Sequence, residues 1–302
     1  MTYWFARYRR LRDEITSLRT LLDRKVHDET ANKRIAQLLK EVSASAPIQA
    51  HEIGTGSKGE IKGNRDAWFW LFYSVMDRRA NAATFIKAKH ALQKERLFAP
   101  YKIAKSVDSK GESWAVRRIA KILKGYEFPL LRDHAIGELS FPKSIVDAAR
   151  FLKDFNYDFK ELYKYYVTAN QSNLGQARDS MWSDVRKKIY GAGPRISSQF
   201  IRGMVLKGSW RFSLNDDRFL EKCRFNVWIA GSTRLCLVEC EEKYYDQLGV
   251  FSDKHLNGNR GIVAHSLWFL RKRYCNRPPK CQECPLAGYC LRAYAVEGKG
   301  RR

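Results

Sequence analysis

An all-α fold is predicted for this chain of 302 residues. Three observations lead there. Apolar residues recur at three- and four-residue spacing through most of the sequence, as they do in helices that bury one face. Strict apolar–polar alternation, the mark of half-buried strands, is nearly absent. Only 8 prolines interrupt the helical runs. The length suits one large or two modest domains with a real core, and the sequence carries neither a fixed-period repeat nor a low-complexity tract.

Taken in order, residues 5–45 read as two helices. Leu11, Ile15, Leu18 and Leu22 share one face of the first; Ile35, Leu38, Leu39 and Val42 share one face of the second, with Thr30 as its cap. Arg7, Arg9, Arg10, Arg12 and Arg19 give the first a basic side, solvated or in reach of phosphates. Residues 51–64 then loosen into a glycine-rich linker. Gly54, Gly56 and Gly59 spell G-x-G-x-x-G, but no strand precedes them and no βαβ pattern follows, so a dinucleotide site is excluded. Glu60 stands where a phosphate-binding P-loop needs lysine. From Asp66 to about Lys207 helix follows helix: an aromatic-rich buried helix from Asp66 to Tyr73, then Asn81–Gln93, Ser113–Leu123, Pro142–Lys153, Phe159–Asn170, Gln176–Ile189 and Ile196–Gly203. Trp68, Trp70, Phe72 and Tyr73 are core residues on this reading. A further apolar helix is expected to open at Asp216-Asp217, and His265–Cys275 reads as another.

Charge narrows the function. Lys and Arg number 56 against 32 Asp and Glu, a net charge of +24. An excess of that size spread along the chain favours a polyanionic partner, most often nucleic acid, through counterion release. The longest apolar run, Ala67 to Tyr73, is far too short to span a bilayer, and the N-terminus lacks a signal-peptide pattern. A reducing, cytoplasmic setting is therefore expected.

Three stretches carry chemistry. Cys275, Cys281, Cys284 and Cys290 form C-x5-C-x2-C-x5-C within sixteen residues. Two thiolates from one tight turn reach a single metal centre, and the flanking pair completes a tetrahedral set. The donor set alone suits zinc or an iron–sulfur cluster equally. Disulfides fit poorly, because the total of 7 cysteines is odd and no secretory signal precedes them. Cys223, Cys236 and Cys240 are read as buried thiols. The second stretch, Ile189-Tyr190-Gly191-Ala192-Gly193-Pro194-Arg195, is a G-x-G turn between two helices. Its backbone N–H groups and missing side chains let a phosphate approach closely, and Pro194 suits the first turn of the helix that follows. The third, Leu214-Asn215-Asp216-Asp217-Arg218-Phe219-Leu220, places two carboxylates about twenty residues later. Either can cap a helix, and an acid there stays ionised.

Glycine hairpin, acid pair and four-cysteine loop, in this order and spacing, resemble the helix-hairpin-helix DNA glycosylases, specifically their iron–sulfur, endonuclease III-like branch. The resemblance spans roughly Asp66 to Cys290, with the specific motifs in its latter half; His265–Cys275 looks like the helix leading into that family's cluster loop. It implies a [4Fe–4S] cluster on Cys275, Cys281, Cys284 and Cys290, with zinc as the alternative. It implies a DNA phosphate held at Gly191 and Gly193, and a catalytic carboxylate at Asp217, with Asp216 as runner-up. It also implies residues inserted into the duplex after the first helix of a helical barrel: Arg78 fills the vacated base position, Met76 is an alternative wedge, and Asp77 contacts the everted base. The implied architecture is a helical barrel with the hairpin (65–207) and a cluster domain (208–302) with which the N-terminal segment (1–64) packs, the DNA cleft lying between them.

Two departures modify the picture. The first cysteine spacing is five rather than the family's six. Arg195 stands where bifunctional members carry a lysine nucleophile, and a guanidinium that stays protonated cannot form a Schiff base. Lys187, Lys188 or Lys207 reaches the sugar only if the hairpin register shifts. Arg195 is thus expected to contact phosphate. The expectation is a monomeric, nucleoid-associated, monofunctional hydrolase of base excision repair, acting on damaged or modified bases in double-stranded DNA without AP lyase activity. The alternatives are a non-catalytic DNA-binding protein on the same scaffold, a zinc-stabilised nucleic-acid adaptor, and a glycosylase for hypermodified bases of foreign (phage) DNA.

Overall fold

In a computed structural model of the chain, residues 29–46, 60–76, 82–125, 140–233, 235, 243–275, 279–291 and 293 are described. Among them the chain is entirely helical. Its α-helices are α1 (Glu29–Ser45), α2 (Asn64–Met76), α3 (Ala82–Lys94), α4 (Pro100–Lys110), α5 (Glu112–Gly125), α6 (Ser140–Lys153), α7 (Phe159–Ala169), α8 (Leu174–Lys188), α9 (Pro194–Leu206), α10 (Arg224–Ser232), α11 (Tyr244–His255) and α12 (Arg260–Arg273). Short 3-10 turns occupy Asp217–Phe219, Cys281–Glu283 and Ala287–Tyr289. The first expected helix, in residues 5–28, and the glycine-rich linker at 51–59 lie outside the described residues.

The described residues form two compact units: α1 with everything from Leu214 onward, and the stretch ending at Ser213. In the second of these, α2 opens on the exposed Asn64, Arg65 and Asp66 and is then apolar around its circumference and buried, from Ala67 and Trp68 through Trp70 to Met76. Its indoles also satisfy backbone carbonyls that would otherwise be buried without a donor. Trp68 Nε1 donates to Phe98 O at 2.6 Å and Trp70 Nε1 to Phe200 O at 2.9 Å. Phe72 of α2 packs edge to face on Phe98, with ring centroids 5.3 Å apart, and at a tilt on Phe85, at 5.4 Å. Helix α9 crosses so close to Trp70 that only a glycine, Gly203, fits at the crossing: a Cβ there would lie 2.1 Å from the indole.

The other unit is held by a core to which both ends of the sequence contribute. Ile35, Leu39 and Val42 of α1 meet Ile229 of α10, Leu248 of α11 and Val263, Leu267 and Leu270 of α12. A polar tie crosses this core, Ser266 Oγ donating to Leu39 O at 2.8 Å. Leu286, inside the cysteine loop, is fully buried in the same cluster and so anchors that loop.

Several local expectations are corrected. Helix α1 already begins at Glu29, so Thr30 lies inside it rather than capping it. The acid pair opens a single 3-10 turn and not an apolar helix; the next helix starts at Arg224, after Cys223, which is half-buried rather than buried. Helices α4 and α11 add to those expected from the sequence. The first has a clear signature, Pro100 at its first turn and Gly111, at φ +85°, closing it.

Candidate functional site

The glycine hairpin joins α8 to α9. Gly191 adopts φ +66°, the left-handed region that disfavours any residue with a Cβ. The turn then closes through Ala192 N–H to Ile189 O at 3.0 Å and Gly193 N–H to Gly191 O at 3.0 Å. Gly193 is the N-cap of α9, followed by Pro194. Its φ of −70° is open to any residue, and a Cβ built there meets nothing within 4 Å. The protein's own packing therefore does not demand glycine at this position, where glycine also serves as an N-cap, and the start of α9 is left open to close approach. Arg195 is exposed on the first turn of α9.

The hairpin is pinned from behind by α6. Ser144 Oγ donates to Tyr190 O at 2.7 Å, and Asp147 accepts from Tyr190 N–H at 3.1 Å. Asp147 is only 7% exposed, and burial raises its carboxyl above the usual aspartate range, an effect opposed by the Lys143 ammonium 2.8 Å away and by the Tyr190 N–H. Lys143 also donates to Glu112, which Arg150 pairs from outside. Hydrogen bonding from Lys143 lowers the Glu112 carboxyl below its ordinary value. Burial works against the Lys143 charge, yet Asp147 and Glu112 together raise its pKa above that of a free lysine. Replacing Lys143 with methionine is expected to cost about 3 kcal/mol at pH 7, because it strands a buried carboxylate. The sign with pH follows from Asp147. Its raised pKa lets it take up a proton earlier than an ordinary aspartate as pH falls, so the penalty of the variant relative to wild type is smaller at acid pH than at pH 7. Paired urea melts at the two pH values check this; an equal penalty at both would count against the pinning role.

The acid pair lies in the other unit, and its two members have different surroundings. Asp216 caps the 3-10 turn. Its Oδ1 accepts from Arg218 N–H at 2.9 Å and its Oδ2 from the Arg218 guanidinium at 2.7 Å, so both oxygens are engaged. Asp217 is 54% exposed, and its Oδ1 accepts from Arg260 Nε at 2.7 Å. Its Oδ2 accepts no hydrogen bond from the described residues. Arg260 is held in turn by Asp253, at 2.9 and 3.2 Å, with its side chain 11% exposed. Burial works against the Arg260 charge, but the two carboxylates more than restore it. Burial, with the nearby Asp217 carboxylate adding to it, also raises the hydroxyl pKa of Tyr245. The pattern is a half-exposed acid held through one oxygen by Arg260, a cation that the sequence motifs do not single out.

The cysteine loop follows α12. Cys275 N–H bonds back to Leu270 O at 3.0 Å; Cys281 opens one 3-10 turn, Cys284 closes it and Cys290 closes the next. All four cysteines line one pocket, together with Trp228, Ser232, Leu270 and Tyr274, and its wall is almost wholly apolar. No disulfide joins them. Burial pushes the Cys284 thiol up to about 11, the neighbouring Cys290 and Cys281 adding to it, so metal binding there has to displace a proton. Among the described residues no three His, Cys, Asp or Glu side chains are drawn together as around a bare ion. Four sulfur donors around a single apolar hollow nonetheless fit a sulfur-ligated group. So does Ser232, 3% exposed, whose Oγ has no hydrogen-bond partner among the described residues.

Of the remaining expected site residues, Asp77 and Arg78 lie outside the described residues. Met76 ends α2 at 1% exposure and packs into the core, so it is an internal side chain and not a wedge presented to a duplex. Cys236 and Cys240 also lie outside the described residues. In comparisons with known proteins, no family model, no curated protein and no solved structure matches this chain.

Proposed function

We propose that this chain is a monofunctional DNA glycosylase of the helix-hairpin-helix, iron–sulfur kind, working as a monomer on double-stranded DNA in the nucleoid. The observation that carries the reading is Asp217, a half-exposed side chain with one oxygen fixed by Arg260 and the other without a hydrogen bond from the described residues. In the proposed reaction the target nucleotide leaves the duplex, and its C1′–N bond breaks with the electron pair departing on the base. The sugar develops oxocarbenium character, which Asp217 stabilises while orienting a water onto C1′. The water oxygen bonds to C1′, its proton ends on the departing base, and an abasic site remains. Arg195 stays protonated and forms no covalent intermediate, so the strand is not cut.

DNA contact is supported by Gly193, open to close approach at the start of α9, and by the net charge of +24. Exposed rings under cations add to it: Phe225, 52% exposed, lies 4.0 Å beneath the Arg271 guanidinium, and Tyr245, 37% exposed, is 5.7 Å from Lys222 Nζ. Such pairs suit base or sugar stacking beside phosphate. The four cysteines would hold a [4Fe–4S] cluster, which when bound fixes their loop and takes no part in bond cleavage. Zinc is the alternative occupant. Among the described residues no helix is long and apolar enough to cross a membrane.

The test is a panel of duplexes carrying oxidised, deaminated, alkylated and hypermodified bases, scored for free base by mass spectrometry and for scission on denaturing gels. Release of one class of damaged or modified base with the strand intact until alkali treatment is expected; hypermodified bases of foreign DNA are the alternative class. A second reading, a DNA-binding protein without chemistry, is favoured by the salt bridge that occupies one oxygen of Asp217. Tight duplex binding with no base released from any member of the panel would establish it.

A further inference from the structure

Ser232 is the last residue of α10 and lines the pocket that holds the four cysteines. Its neighbour Thr233 meets its hydroxyl requirement inside the helix, donating to Ile229 O at 2.7 Å. Ser232 does not: its Oγ is buried, at 3% residue exposure, without a hydrogen-bond partner among the described residues. A buried hydroxyl left unmet is costly, and alanine would avoid the cost at nearly the same volume. Thr233, already engaged, and Tyr274 also line the pocket, and the rest of its wall is sulfur and apolar surface. Trp228, Leu270, Pro279, Ala287 and Ala293 present apolar surface, and the cysteines present the acceptors.

We infer that the Ser232 hydroxyl donates a hydrogen bond to a sulfur of the group bound by Cys275, Cys281, Cys284 and Cys290, and so sets the electron affinity of that group. This rests on the proposal that the cysteines hold an iron–sulfur cluster. A cluster sulfur gains negative charge on reduction, and a hydrogen bond to it favours the reduced form and raises the reduction potential. Ser232 is then a tuning residue that touches neither DNA nor the reacting sugar.

The experiment uses the full chain reconstituted anaerobically with iron and sulfide, as wild type, Ser232→Ala and Ser232→Thr. Visible absorption and electron paramagnetic resonance report the cluster; a redox titration gives its midpoint potential; a thermal melt of the metal-free proteins reports the fold. The expected result is a more negative midpoint potential for Ser232→Ala, a potential near wild type for Ser232→Thr, and a metal-free alanine variant at least as stable as wild type. In wild type, transfer to heavy water should also shift the iron–sulfur stretching bands in the Raman spectrum, a shift reduced in Ser232→Ala. A cluster with the same potential and the same isotope response in wild type and Ser232→Ala overturns the role of Ser232 alone. A wild-type chain that stays colourless after reconstitution overturns the cluster assignment, and the inference with it.

Discussion

Gly203→Ala is expected to destabilise the protein by about 3 kcal/mol. The added methyl would sit 2.1 Å from Cε2 and Nε1 of Trp70, well inside van der Waals contact, and neither side can yield cheaply. The Trp70 indole is fixed by its bond to Phe200 O and by stacking on Tyr73 at a centroid distance of 5.5 Å, while α9 is anchored by a buried face running from Ile196 to Met204. Chemical melts followed by tryptophan fluorescence measure the loss. Trp70→Phe in the same background should recover part of it, because a smaller ring opens the space, and a double-mutant cycle would show that coupling. A Gly203→Ala protein as stable as wild type would mean that α2 and α9 do not cross at this distance. Loss of stability here would also reach the proposed DNA contact, since Gly193 and Arg195 stand at the other end of α9.

Asp217→Asn is expected to lower the single-turnover rate of base release by about 10²- to 10³-fold, the usual loss when a charge-stabilising group is removed. Duplex affinity should change little, because the side chain keeps its size and the exchange removes a negative charge from a basic protein. Asp216→Asn is the matched control. Both Asp216 oxygens serve the 3-10 turn and Arg218, so its loss falls on local stability, about 1 kcal/mol, with a smaller effect on chemistry. If Asp217→Asn releases base as fast as wild type, the carboxylate is a partner for Arg260 and nothing more. The two single-turnover rates side by side, with a gel-shift affinity for each variant, make the distinction.

What the sequence showed and what it hid divide along physical lines. Helices with a clean apolar stripe, such as α1 through Ile35, Leu39 and Val42, were legible because burial of one face is written into spacing. So was the burial of α2, where Trp68 and Trp70 sit in a run with no polar side. Helix α4 escaped notice because its buried residues are few, chiefly Ile103 and Ala104, and its best signals are Pro100 and Gly111 at its ends. The pair Asp216-Asp217 looked like a helix start because capping chemistry is the same for one 3-10 turn as for a long helix. Residues that act through distant partners could not be read at all. Arg260 meets Asp217 across 43 positions, Asp147 meets Tyr190 across 43, and Ser232 reaches the cysteine pocket only because α10 packs against α12. Met76 looked presentable at the end of an aromatic helix, and only the packing around it shows that the helix end is buried.

The tie between Ser266 and Leu39 spans 227 positions of the chain. During synthesis at roughly 5–20 residues per second, α1 leaves the ribosome roughly 10–45 s before the helix that covers it. For that interval Ile35, Leu39 and Val42 are a nascent apolar stripe with no mate, while the stretch that ends at Ser213 can already fold behind them. The unit that carries both the acid and the cysteines therefore closes only after the stretch between its two segments has been made.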